Sequence, residues 1–551
     1  MSFGCTVRSQ TPLGGTMALA ERFREFSIAH VLANRATTDP QRPYLLHRDR
    51  SATFGEIEGD AEALAAALAN LGVEEKDRIA ILLPPCPEFV VTAFAAAKLG
   101  AVVVPLDPLL TRTELQYMLR HSEATVAVTV EDFRERDYLQ LFEELFPLLP
   151  ELQYLVTVGE EDLWYDDRIF QFEDLLSSGV GRDFRGPEVD PEEDLFAIAY
   201  TSGVTGKPKG VELTHRNLIH AAAATADALG LTPDDRIIGV TALFHVFGLS
   251  PGMLGTALAG ASLILQEEFD GGEALDLVER HGATVHYGVP TVFATQLREQ
   301  RAHPRRLSSL RMGVVAGAPV TDEFLREVRS TLCPNLRVAY SLTETSSTLA
   351  VTEGGDPDGK KRFTVGRPIS QTEVRVLEED GTLLPVESLG EIAVKGPGVM
   401  RGYYRQPGET SRSFAAEGFF RTGDLGILDE DGYIHLVGRR KEVIIRGGYN
   451  VHPREVEDRL HAHPAVVEAV VVGVPDEILG ETICAAVVPV EGAIITEGEL
   501  QQWCGTTLAD HKVPDRVRLL EELPLTGTGK VRRVELARML RSELEEKGME
   551  S

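Results

Sequence analysis

Small hydroxyl residues, glycines and two lysines crowd into Tyr200-Thr201-Ser202-Gly203-Val204-Thr205-Gly206-Lys207-Pro208-Lys209-Gly210. That is what a polyphosphate needs from a loop. Glycine lets the backbone come close, hydroxyls and N–H groups donate to phosphate oxygens, and lysine supplies charge. The spacing is not GxxxxGK[ST], which needs a glycine at 201 and a serine or threonine at 208, where Thr201 and Pro208 stand. The loop therefore points to an ATP chemistry other than that of the common triphosphate loop.

Such a loop needs a rigid support. The apolar run Leu195-Phe196-Ala197-Ile198-Ala199 just before it reads as a buried strand. Between 60 and 105, helix and strand alternate: an alanine-rich helix over 61–71, a strand over 78–83, a helix opened by Pro87 and running to 99, and a strand over 101–104 closed by Pro105. This alternation implies parallel sheet with crossover helices, and it recurs near Ala283-Thr284-Val285-His286 and Met312-Gly313-Val314-Val315. Residues 131–185 are more acidic and irregular, and a surface region is expected there. The pattern breaks at 437–441. Beyond it, a helix over 454–461, strands over 466–474 and 483–490, and a last helix over 533–546 make an α+β unit of domain size. The expected fold is α/β: a large N-terminal domain of several subdomains with βα-layered sheets, residues 1–438, and a small α+β C-terminal domain, residues 439–551.

At 551 residues the chain exceeds what a single core usually supports. Its net charge of −30 argues against nucleic acid or an anionic membrane as a general partner. An acidic protein that binds ATP must concentrate positive charge locally, as Lys207 and Lys209 do. Cys5, Cys86, Cys333, Cys484 and Cys504 are an odd number without a CxxC pair, which predicts reduced, structural thiols in a cytoplasmic protein, with neither a disulfide frame nor a zinc site. Residues 1–16 lack the apolar core of a signal peptide, and Met17 is a second candidate start. The uncharged run 246–265 has about the length of a membrane span. Its Gly, Ala, Ser and Thr content, Pro251 and the following Glu267-Glu268 favour a buried helix followed by a core strand. No transmembrane segment is expected; peripheral attachment to a membrane is the alternative to a purely cytoplasmic location. His461 and His463 have a ligand-like spacing but no acidic or cysteine partner nearby, and are expected at the surface, at a helix end.

Four further blocks accompany the loop, in order: Tyr340-Ser341-Leu342-Thr343-Glu344, then Gly418-Phe419-Phe420-Arg421-Thr422-Gly423-Asp424-Leu425-Gly426, then Gly438-Arg439-Arg440-Lys441-Glu442 leading into Arg446-Gly447-Gly448-Tyr449-Asn450-Val451, and last Pro524-Leu525-Thr526-Gly527-Thr528-Gly529-Lys530. The chain resembles the adenylate-forming superfamily of acyl-CoA synthetases, luciferases and peptide-synthetase adenylation domains, and the resemblance covers roughly residues 28 to 540. The resemblance implies a two-step reaction. A carboxylate attacks the α-phosphate of ATP, releasing pyrophosphate and leaving an acyl-adenylate; a thiol, that of coenzyme A, then displaces AMP. It also implies that the C-terminal domain is mobile.

By the same resemblance, Thr201, Ser202, Gly203, Thr205, Gly206, Lys207 and Lys209 form the phosphate loop, and Lys530 matches the adenylation lysine. Thr343 matches the residue that bonds the α-phosphate. Glu344, with Thr201, matches the Mg²⁺ site. Asp424 and Arg439 match the ribose contacts. Gly317-Ala318-Pro319 resembles the turn that lies against adenine, with Tyr340 on its other face. Lys441 stands at the family's hinge, and Gly447-Gly448 at the face past which the thiol enters. His245, in Phe244-His245-Val246-Phe247-Gly248, stands where amino-acid-activating domains carry an aspartate; an imidazole resembles the acyl-CoA synthetases, beside the acyl carboxylate. Ser341 replaces the usual glycine next to the acyl tunnel, and Val204 replaces a threonine of the loop. Ile445 stands where luciferase-like enzymes place a lysine. The implied partners are a small carboxylic acid, preferably fatty, with ATP, Mg²⁺ and CoA. The rivals are loading of a carrier protein's phosphopantetheine, an aryl-CoA ligase and a non-catalytic nucleotide-binding scaffold.

Overall fold

The computed structural model describes residues 17–160, 166–201, 208–239, 242–447, 449–476, 479–525 and 531–549. The calls on Ser202, Gly203, Thr205, Gly206, Lys207, Gly448 and Lys530 lie outside these residues.

Among the described residues the apolar runs assemble two central sheets. In the first, strand Leu195–Thr201 lies between Lys209–Thr214 and Val102–Pro105, followed by Arg78–Leu82, Val126–Val130, Tyr154–Val158 and Ile169–Gln171; Gly402–Tyr403 closes the other edge. The second runs from Arg367–Pro368 through Ser347–Val351, Leu336–Leu342, Met312–Val315, Val285–Gly288, Arg236–Gly239, Ser262–Leu265 and Pro43–His47 to Arg50–Thr53. From Leu195–Thr201 to Ile169–Gln171 in the first sheet, and from Leu336–Leu342 to Pro43–His47 in the second, neighbouring strands are parallel, as the helix–strand alternation requires; Lys209–Thr214 and Ser347–Val351 pair antiparallel. Local signals set the helices. Pro87 opens helix Pro87–Leu99 at its first turn and Gly100, with φ of +66°, ends it. Thr53 and Glu56 cap helix Phe54–Asn70 reciprocally.

A four-stranded antiparallel sheet, Glu373–Leu377, Gly390–Lys395, Phe420–Leu428 and Ile434–Arg439, ends the large domain. The smaller sheet after it is built on the hairpin Val466–Asp476 and Gly480–Pro489, with Ile444–Arg446, Tyr449–Val451 and Arg516–Leu519 beside it and helices Pro453–His461 and Arg533–Met549 packed against the hairpin strands. The fold is the expected α/β architecture with a small α+β unit after it.

One expectation is corrected. Residues 131–185 do not form only an irregular surface: Tyr154–Val158 and Ile169–Gln171 complete the first sheet, and Tyr138, Phe142 and Leu145 of helix Tyr138–Leu145 are fully buried against it. The acidic side chains between these apolar positions dilute the average and conceal a strongly one-sided helix. The uncharged run 246–265 folds as expected into a π-helical turn Gly248–Leu254, helix Gly255–Ala259 and strand Ser262–Leu265, all buried. No helix among the described residues is long and apolar enough to cross a membrane. Cys86, Cys333, Cys484 and Cys504 are free and buried.

Candidate active site

The two strands that flank the candidate phosphate loop are neighbours in the first sheet. Leu195–Thr201 and Lys209–Thr214 are antiparallel, with Thr201 opposite Lys209 and Tyr200 opposite Gly210. A side chain at 210 would bring its Cβ within 2.7 Å of Ile198 Cγ2, so only glycine lets the strands meet here. Both ends of the loop are tied down from outside it. Tyr200 Oη pairs with His121 Nδ1 at 2.8 Å, and Tyr117 Oη donates to the Pro208 carbonyl at 3.2 Å. Lys209 Nζ sits 2.7 Å from Glu409 Oε2. Lys209 and Arg412 together hold the Glu409 carboxyl down to about 2.

The second sheet delivers its residues at the C-terminal ends of neighbouring parallel strands, where ligands of open α/β sheets gather. Met312–Val315 runs out into Ala316-Gly317-Ala318-Pro319; Gly317 has φ of +90°, and Ala318 and Pro319 are exposed. Next to it, Leu336–Leu342 turns through Thr343–Thr345 into Ser347–Val351, placing Ser341 opposite Thr348. This turn is strained: Ser346 and Ser347 have φ of +55° and +108°, unusual for non-glycine residues, and Thr345 Oγ1 braces it by donating to the Ser347 carbonyl at 2.8 Å. The hydroxyls of Ser346, Ser347 and Thr348 are buried and meet no hydrogen-bond partner among the described residues.

The two candidate ribose residues and Tyr340 touch one another. Asp424 and Arg439 are paired across strands Phe420–Leu428 and Ile434–Arg439, and Arg439 Nε lies 3.0 Å from Asp424 Oδ1. Tyr340 Oη, from the second sheet, donates to Asp424 Oδ2. Asp424 is only 6% exposed, and burial raises its pKa against the opposing pull of Arg439 and Tyr340. Gly423, with φ of +76°, turns its N–H onto Glu391 Oε1 at 3.1 Å, and Arg421 Nε donates to Glu391 Oε2 at 2.8 Å. The segment that carries Asp424, a candidate ribose contact, is thereby anchored to a buried carboxylate.

Glu344 meets a residue that sequence reasoning missed. Tyr403 Oη donates to Glu344 Oε1 at 2.9 Å, while the Tyr403 ring lies 4.7 Å from Lys209 Nζ. Glu409 was missed as well. Nothing in their local sequence marks either one; only their placement beside the phosphate-loop strand does.

The other candidates lie on separate elements. His245 Nδ1 accepts from the Phe247 amide at 3.2 Å, in the turn entering Gly248–Leu254. Lys441 is exposed in the short turn Arg440–Glu442 between the sheets, and Gly447, with φ of +58°, is exposed on the small domain. His461 and His463 are half-buried rather than superficial. His461 Nε2 accepts from the Ala469 amide at 3.1 Å and His463 packs edge-on to Trp503, so both serve the packing of the small domain.

A family model described as AMP-binding enzyme matches residues 32–404, and one described as AMP-binding enzyme C-terminal domain matches residues 455–530. The long-chain-fatty-acid–CoA ligase of Bacillus subtilis is 32% identical over 538 residues, 94% of this chain and 95% of that protein. The feruloyl-CoA synthase of an Amycolatopsis species is 34% identical over 504 residues, 92% of this chain and 97% of that one. Among solved structures, ATP-bound MatB from Rhodopseudomonas palustris has a TM-score of 0.84 at 30% identity, covering 93% of this chain and 99% of its own.

Proposed function

Since the chain belongs to the AMP-binding enzyme family and is an AMP-forming acyl-CoA ligase, we propose that it activates a fatty acid, of short or medium length or carrying polar groups, and transfers it to CoA. ATP and the acid give acyl-adenylate and pyrophosphate; the CoA thiol then displaces AMP. The first obstacle is repulsion between a carboxylate and a polyphosphate, so cationic groups must surround the α-phosphate. Thr201, Ser202, Thr205, Lys207 and Lys209, with the backbone of Gly203 and Gly206, cradle the phosphates, and Thr343 bonds the α-phosphate. Lys530 bridges acid and α-phosphate as charge passes between them. Asp424 accepts from the ribose hydroxyls, Arg439 contacts the same sugar, and Gly317-Ala318-Pro319 and Tyr340 flank adenine.

Glu344 suits Mg²⁺. It is half-buried, and among the described residues no ammonium or guanidinium lies within ion-pair distance of it. A single carboxylate suits this ion, which keeps much of its water and takes further oxygens from the substrate's own phosphates. With Thr201 nearby in sequence to the loop, Glu344 would hold an ion whose chemistry is to neutralise charge on the departing pyrophosphate.

The acid class follows from His245 and Ser341. An imidazole beside the acyl carboxylate does not recognise an ammonium group, which favours plain carboxylic acids over amino acids. The observation that carries the chain-length reading is Ser341 opposite Thr348, next to the hydroxyls of Ser346 and Ser347, which have no partner among the described residues. Buried hydroxyls disfavour passing methylenes and favour a chain that can accept hydrogen bonds. The test is pyrophosphate release across short, medium, long, hydroxylated and aromatic acids, with and without CoA. Fastest turnover on long saturated or aromatic acids would overturn the acid class, and pyrophosphate release without any acyl-CoA would favour a carrier-protein acceptor.

A further inference from the structure

We propose that Tyr403 is a positioning residue of the nucleotide site: one rigid side chain that aims the Glu344 carboxylate at the metal and holds the Lys209 ammonium beside it. Tyr403 is 8% exposed and lies in the two-residue strand Gly402–Tyr403, paired with Lys209–Thr214 so that Tyr403 stands opposite Val211. Its backbone is fixed on both sides. The Tyr403 amide donates to Thr410 Oγ1 at 2.9 Å, and the next amide, of Tyr404, donates to the Gly210 carbonyl at 2.8 Å. The ring therefore inherits the register of the phosphate-loop strand.

From that seat it touches both charges. The hydroxyl donates to Glu344 Oε1 at 2.9 Å, and the ring offers its face to Lys209 Nζ at 4.7 Å. With Oε1 taken, Oε2 accepts no hydrogen bond among the described residues and is the oxygen left for a ligand. The Met400 amide fixes the same residue through its backbone, donating to the Glu344 carbonyl at 2.8 Å. Lys209 is held between the ring and Glu409, which Arg412 also pairs with. Glu409 thus keeps a cationic partner when Lys209 turns to phosphate.

This inference rests on the assignment of Glu344 to the metal, and the experiment separates the two. Mn²⁺ binding to the full-length enzyme with a non-hydrolysable ATP analogue is titrated by electron paramagnetic resonance for the wild type, Tyr403→Phe and Glu344→Gln; nucleotide binding in EDTA and the KM for the acid are measured alongside. Tyr403→Phe keeps the ring over Lys209 and removes only the charge-assisted hydrogen bond. Mn²⁺ affinity should fall about tenfold, as such bonds are worth, with metal-free nucleotide binding and acid KM within about twofold of wild type. A purely structural tyrosine would move all three together. Unchanged Mn²⁺ affinity in Tyr403→Phe, or an equal loss in every measurement, overturns the proposal. If Glu344→Gln also leaves Mn²⁺ binding intact, it is the metal assignment that fails.

Discussion

Replacing Asp424 with asparagine should separate binding from stability. The substitution keeps the shape and leaves an acceptor for Tyr340 Oη, but removes the charge. In the proposed role, two ribose hydroxyls donate to a charged acceptor. A hydrogen bond to a charged group is worth about 1.5–3 kcal/mol against about 0.5–1.5 for a neutral one, so the loss is about 1 kcal/mol per hydroxyl. Nucleotide affinity should therefore fall about 30-fold. Stability should change little. The lost partner, Arg439, has a side chain 47% exposed, and such pairs contribute at most about 1 kcal/mol. Against that, the variant no longer ionises a carboxyl that is only 6% exposed. The sign of the pH dependence follows. Burial raises the native pKa of Asp424, so the native state binds more protons than the unfolded chain between the unfolded and native values. Stability from this group falls as pH rises through that window, and Asp424→Asn should remove the slope. Calorimetric titration with an ATP analogue and urea unfolding at several pH values are the assays. Unchanged affinity would refute the ribose assignment; a stability loss above about 3 kcal/mol would make Asp424 a structural strut, since buried pairs broken on one side cost that much.

Lys530→Ala should abolish pyrophosphate exchange, by about 3–4 kcal/mol of transition-state stabilisation, yet spare thioester formation from supplied acyl-adenylate; equal loss in both half-reactions would defeat a two-state division of labour. Lys441→Pro should do the reverse, blocking rotation and acyl-CoA output while exchange persists; normal turnover would place the hinge elsewhere. Ser341→Gly should shift the optimum of kcat/KM toward longer acids by about 1–3 kcal/mol, and an unchanged optimum over an even-carbon series would refute it. His215, His220 and His286 are buried, and burial lowers each from 6.5 to about 4. The unfolded chain binds more protons between those values, so stability should drop as pH falls from 6.5 to 4, by up to about 3 kcal/mol per histidine. A midpoint of thermal unfolding that is flat across that range would contradict it.

Much of the chain was legible locally. Helix Pro87–Leu99, strand Arg78–Leu82 and, short of the residues nearest its turn, the hairpin Val466–Asp476 with Gly480–Pro489 follow from proline, glycine and apolar runs that act within a few residues of themselves. The AMP-binding family was legible for the same reason, because its marks are contiguous blocks of residues. What escaped was set by register. Helix Tyr138–Leu145 was hidden by its acidic outer face until the first sheet showed which face it buries. The three contacts Glu344–Tyr403, Lys209–Glu409 and Tyr340–Asp424 join residues far apart in the chain, and no local pattern marks them. The sequence determined which groups the protein owns and the loops that present them. Only the tertiary structure decided which of them meet, because a hydrogen bond or an ion pair depends on distances of a few tenths of an ångström, and those are fixed by how strands distant in sequence align.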